Sequence, residues 1–244
     1  MIMIHAMLKK IVCFPLFAFF SVLLILLFIN PAAFTQVVNQ ATKKKVSIGV
    51  GLNTDIWLNM PSGIKTRAIN QGVNLFVLYN IPFGKSDFGF SIGLGLSVHN
   101  CYGNFLVDNR NDTVHLMKIP DTTSYKRSKI TLTYLELPLE FHFKSKSKVS
   151  VGLGFKAGLL VGSSTKFIGN GNIATSVYTI HSQEKVRLKF WGIKNLEQFT
   201  YGPTLRIGYK WANLYASYMI STIFTKNHGP DMYPITVGFV LMPF

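Results

Sequence analysis

Large apolar residues and small or polar residues alternate with a period of two along most of this chain. The alternation is cleanest from Phe88 to His99. Phe88, Phe90, Ile92, Leu94, Leu96 and Val98 take one face, and Gly89, Ser91, Gly93, Gly95, Ser97 and His99 take the other. Successive side chains on a strand point to opposite faces, so the pattern predicts a strand with one bulky and one slender face. It recurs at residues 46–52, 73–79, 134–143, 149–159 and 201–211. Less distinct segments at 213–224 and 233–244 complete eight. A strand of a soluble sandwich would turn charge toward water. Bulky apolar residues opposing glycine, serine and histidine instead fit lipid outside and a narrow, crowded lumen inside.

Connection lengths point the same way. The links at 81–87, 144–148 and 210–213 are short, and those at 100–129 and 163–198 are long. Short turns alternating with long loops are what an even-stranded outer-membrane barrel has, with the termini and short turns in the periplasm. Tyr79, Trp211, Tyr218 and Tyr233 fall near strand ends, where aromatic girdles sit. The expected fold is all-β: an eight-stranded antiparallel transmembrane β-barrel in a bacterial outer membrane, formed by residues 36–244.

The first 35 residues read as a cleaved signal peptide. Lys9 and Lys10 precede an almost unbroken apolar run from Ile11 to Phe28, which Asn30-Pro31 ends and Ala32-Ala33-Phe34-Thr35 follows. The run is long enough for a membrane helix, so a retained anchor is the competing reading. Cys13 lies inside the run without the small neighbours that lipidation needs. That leaves Cys101 alone in the mature region, where no intramolecular disulfide can form; it is expected in a loop. The chain carries 25 Lys+Arg against 10 Asp+Glu. In an exported protein this excess argues for anionic lipopolysaccharide as the accessible partner and against nucleic acid. Insertion requires the barrel-assembly machinery.

The chain resembles the PorT-like outer-membrane β-barrel proteins of Bacteroidetes. The resemblance is carried by Tyr134-Leu135-Glu136-Leu137-Pro138-Leu139-Glu140, by Val151-Gly152-Leu153-Gly154-Phe155-Lys156-Ala157-Gly158, and by the terminal Phe244. It implies an eight-stranded barrel and little about activity. One branch of that family is associated with type IX secretion and gliding, which leaves secretion components open as partners, although no motif places this chain in that branch. Phe244 is out of phase with the apolar set Ile235, Val237, Phe239 and Leu241; a bulge near the end would restore the phase, and without one the terminal insertion signal is weaker.

Candidate chemistry is sparse. Glu136, Glu140 and His142 share the inward face of one strand, Lys156 is inward on the next, and Arg206 and Lys210 are inward on a later one. Buried charges must be paired, so this cluster reads as a structural, salt-bridged plug, with Lys156 the first partner. Neighbouring Lys and Arg would keep both carboxylates ionised, so no catalytic pair is assigned. Gly152-Leu153-Gly154-Phe155-Lys156-Ala157 matches a dinucleotide fingerprint in letters, but no helix follows to hold a pyrophosphate. No cofactor is implied, and the histidines are too scattered for a metal site.

Two surface readings remain. The long loops hold Arg110, Lys126, Arg127, Lys185, Arg187, Lys189, Phe190 and Trp191, where bases suit lipopolysaccharide phosphates and aromatics suit recognition. Lys185 to Trp191 alternates basic and apolar residues, as a strand reaching beyond the membrane would. The chain is therefore expected to be a non-enzymatic barrel, structural or accessory to secretion or surface binding. The alternative is an outer-membrane lipid-modifying hydrolase using Ser97 and His99, with Asp108, Asp112 or Asp121 to orient the base.

Overall fold

The period-two segments are strands, and they close on themselves. The computed structural model describes residues 45–242 apart from 110–111, 171–172, 175–178 and 181–184. The signal peptide, Phe244 and Arg110 fall outside the described residues. The strands are β1 (Val46–Leu58), β2 (Gln71–Pro82), β3 (Phe88–Tyr102), β4 (Phe105–Asp108), β5 (His115–Lys118), β6 (Tyr125–Lys144), β7 (Val149–Asn170), β8 (Ile173–Ala174), β9 (Thr179–Ile180), β10 (Lys185–Trp191), β11 (Phe199–Tyr209), β12 (Ala212–Tyr218) and β13 (Tyr233–Leu241). Eight of them form the barrel in the order β1-β2-β3-β6-β7-β11-β12-β13, and β13 pairs back onto β1. Every neighbouring pair is antiparallel, as a chain of hairpins requires.

The outward residues form an apolar belt. Leu52, Leu94, Leu153 and Phe239 are 60–69 % exposed. In water that surface would cost about 25 cal/mol per Å², and only lipid removes the penalty. The inward residues are small where neighbours are large. At Gly152 an added Cβ would lie 2.4 Å from the Glu140 carboxyl carbon, so only glycine leaves room for that side chain.

The strands run farther than the alternation predicts, and the long loops are correspondingly shorter. β3 reaches Tyr102, β6 begins at Tyr125 and β7 continues to Asn170. Cys101 is therefore a fully buried strand residue, not a loop residue. The extension is not a regular continuation. Thr133 pairs with Gly162 and Tyr134 with Leu160, so Val161 is a bulge residue on β7. One extra residue reverses the facing of everything beyond it. Up to Val161 the odd-numbered residues of β7 face outward. Beyond it Ser164, Lys166 and Ile168 lie opposite the outward Thr131, Lys129 and Arg127.

The expected strand over 213–224 stops early. β12 ends at Tyr218, and Met219, Ile223 and Phe224 turn inward. They join Trp57, Cys101, Phe105, Ile130, Leu132 and Tyr134 in an apolar core at the long-loop end. Ser221 and Thr222 fall on opposite period-two faces, so the segment has no uniformly slender face to line the wall and fills the barrel mouth instead. A smaller cluster of Leu106, Ile119 and Phe167 holds the β4–β5 hairpin against the extended sheet.

Candidate functional site

The inward face of β6 gives the lumen in order, from the short turns to the long loops. His142 sits lowest, 2.9 Å from Ser91 Oγ, whose hydroxyl donates to Asn80 Oδ1 at 2.7 Å. Glu140 is next and receives Arg206 from β11 through Nε at 3.0 Å and through Nη2. Glu136 follows and pairs with Lys156 of β7 at 2.7 Å. Above it Ser97 Oγ donates to Glu136 at 2.7 Å, and His99 bridges Ser97 at 3.1 Å and Asp55 at 2.9 Å. Thr236 donates to the same Asp55 oxygen at 2.7 Å. Tyr134, Leu132 and Ile130 then begin the apolar core. The lumen is thus an ion-paired network under an apolar stopper.

Glu136, Glu140, His142, Lys156 and Arg206 all stand in this lumen. Lys210 does not. It is exposed in the β11–β12 turn with φ 55°, its ammonium 5.2 Å from the Tyr209 ring centroid. The alternation that placed Lys210 inward ends with Tyr209, because the chain reverses there. Asp55 was not anticipated. It lies on β1, 44 residues from His99 in sequence, and the register of β1 and β3 on either side of β2 brings the two together.

Asp55, His99 and Ser97 resemble a catalytic triad in composition, but the geometry opposes that chemistry. The Ser97 hydroxyl donates to Glu136, so its proton is directed away from His99. All three side chains are at most 1 % exposed. Catalysis needs a substrate carbonyl beside the hydroxyl, and none can reach it here. Asp121, one of the carboxylates expected to orient His99, instead pairs with the exposed Lys118 at 2.8 Å. Among the described residues no His, Cys, Asp or Glu cluster has a metal-binding arrangement.

The second candidate is the outer face of the extended sheet formed by β6, β7 and β10. β10 is amphipathic. Val186 and Leu188 point inward, and Leu188 packs against the Leu106–Phe167 cluster. Lys185, Arg187 and Lys189 are exposed on the other face. In register, Lys129 lies opposite Lys166, and Lys166 opposite Lys189. The next row outward holds Arg127, Ile168 and Arg187; the next row inward holds Thr131, Ser164 and Trp191. A groove of about 290 Å³ runs over this face. Among the described residues no carboxylate lies within ion-pair distance of Arg127, Lys129, Lys166, Arg187 or Lys189. Lys129 is held by Asn100 Oδ1 at 2.7 Å and by the Tyr102 ring at 5.2 Å. Lys126 is exposed beside this face, its carbonyl accepting from Arg67 at 3.1 Å.

A closed eight-stranded barrel with an apolar belt and a polar lumen matches what sequence comparison finds. The model of the outer membrane protein beta-barrel domain matches residues 34–223. The chain belongs to that family. Outer membrane barrel proteins of this kind reside in the bacterial outer membrane, and the described barrel has the belt that location requires. No curated protein sequence matches the chain. Two solved structures of Ail, the attachment invasion locus protein of Yersinia pestis, are similar to it. One, in complex with the heparin analogue sucrose octasulfate, is 15 % identical with a TM-score of 0.37. The other is 16 % identical with a TM-score of 0.39. Each alignment covers 81 % of this chain and 97 % of that one.

Sequence reasoning found Arg127, Lys185, Arg187, Lys189, Phe190 and Trp191 as a basic and aromatic set but missed Lys129 and Lys166 as their partners. The available signal was the serine pair Ser163-Ser164 after an apolar strand, too weak to locate a bulge.

Proposed function

We propose that this barrel is a non-enzymatic membrane anchor of the PorT-like type whose long-loop end displays a fixed surface for binding, in a structural or secretion-accessory role. The observation that carries this reading is the seating of β10. Leu188 is packed against the Leu106–Phe167 cluster and the strand pairs with β7 along its length, so its basic face is held in place rather than tethered on a loose loop. A rigid display loses less entropy on binding than a mobile one. The lumen supports the non-enzymatic part. Its charges are paired and its mouth is stoppered, which leaves neither a solute path nor an accessible nucleophile. With the long loops outside, the cations face the anionic leaflet, so lipopolysaccharide is the partner their chemistry favours.

Two measurements test the reading. Lipid A mass spectra from cells with and without the protein should be identical; altered acyl chains that depend on His99 would establish the hydrolase instead. Protease added to intact cells should cut within 100–129 or 163–198 and spare 81–87 and 144–148. The reverse pattern would invert the topology and remove the surface-binding reading.

A further inference from the structure

We infer that Lys129, Lys166 and Lys189 form a phosphate site that clamps the headgroup of one anionic outer-leaflet lipid against the side of the barrel. This deepens the surface-binding reading and rests on its orientation. The three lysines sit on adjacent strands in one register row. Neighbouring strands lie about 4.8 Å apart, so three ammonium-bearing stems rise within about 10 Å of one another. Like charges placed directly opposite are destabilising in a sheet. Nothing acidic among the described residues offsets them. The natural complement is a compact ligand of high negative charge, and a phosphate monoester accepts from several such donors at once. Arg127 and Arg187, one row farther out, extend the same field.

Position decides between a lipid and a soluble anion. The outward apolar residues continue up to Leu135 on β6 and Val161 on β7. Trp191 follows on the same face, 73 % exposed, where an indole marks a membrane interface. The lysine row lies one step beyond Trp191, about 7 Å along the strand. That is headgroup depth, on the lateral wall rather than at the apex of the loops. Lys189 leans over the Trp191 ring at 3.7 Å, which ties the cation to the interfacial aromatic. A soluble polyanion would be met first by the loop tips; a lipid phosphate would be met here.

The test uses the refolded mature barrel in detergent. Native mass spectrometry follows its titration with bisphosphorylated lipid A, with the same lipid dephosphorylated, and with inorganic phosphate. The bisphosphorylated lipid should bind, and K129Q/K166Q/K189Q should weaken it by about a hundredfold or more, since each lost charged contact is worth about tenfold. K146Q/K148Q, at the opposite end, should bind like the wild type. The dephosphorylated lipid and free phosphate should each bind weakly. Equal affinity of the wild type and the triple variant would overturn the inference. So would free phosphate binding as tightly as the lipid, or a soluble sulfated oligosaccharide binding through these lysines while lipid binding is unchanged. Heat-modifiable gel migration reports folding. If the triple variant fails to fold, K166Q alone carries the test, with a loss of about tenfold. Lipid binding that ignores the lysines, in cells whose long loops are cut from outside, sinks this inference alone. Cleavage confined to the short turns sinks the surface reading itself.

Discussion

Lys156 and Lys166 stand on one strand, and an unbroken alternation would put both on the same face. They occupy opposite environments. Lys156 is buried in the lumen and held by Glu136 at 2.7 Å. Lys166 is on the outer face between two further lysines, with no carboxylate in reach among the described residues. The difference is produced by the single extra residue Val161. It also separates two uses of charge. In the lumen every cation is matched because an unmatched one is costly in a place water cannot reach. On the extended sheet, solvent makes excess charge tolerable, and the excess becomes available to something outside the chain.

The comparison breaks most visibly in the lumen. Glu136→Ala leaves Lys156 buried without its partner and should cost about 3–5 kcal/mol, read as a lower midpoint in denaturant unfolding from detergent or lipid. Glu140→Ala should do the same through Arg206. An unchanged midpoint in both would mean that the lumen charges are not a structural plug. Gly152→Ala tests how tightly that layer is packed. Its Cβ would press on the Glu140 carboxyl group, and a loss of about 1–3 kcal/mol is expected.

Adding one residue between Thr133 and Tyr134 of β6, opposite Val161, tests the origin of this difference. Two residues then oppose two, and regular alternation should turn position 166 toward the interior. A cysteine placed there in a Cys101→Ser background should be labelled by a membrane-impermeant maleimide in the parent sequence and be protected in the insertion variant. Equal labelling in both would show that the bulge does not set the facing. The smallest effect belongs to the outer row. Lys166→Gln relieves two cross-strand repulsions and should raise stability by about 0.2–1 kcal/mol at low salt. The gain should fade at high salt, where the screening length shrinks to a few ångströms. Destabilisation by Lys166→Gln would mean that an internal partner holds that lysine.

Much of this molecule follows from local alternation. Period-two patterning placed all eight barrel strands, put Glu136, Glu140, His142, Lys156 and Arg206 inward, and anticipated β10 from Lys185 to Trp191. These features are legible because side-chain facing on a strand depends only on position parity. The remainder depends on relations between strands. Which inward groups meet is set by register around the closed wall, so Asp55 reaches His99 across 44 residues and Arg206 finds Glu140 across 66. The inward turn at Met219 and the reversal at Lys210 depend on where the wall ends. The facing of Lys166 depends on a two-against-one mismatch between β6 and β7 that neither strand encodes alone. The sequence by itself determined a barrel with a charged interior and basic loops; the tertiary structure decided which charges cancel and which are left to face a partner, because pairing is a property of register and parity is not.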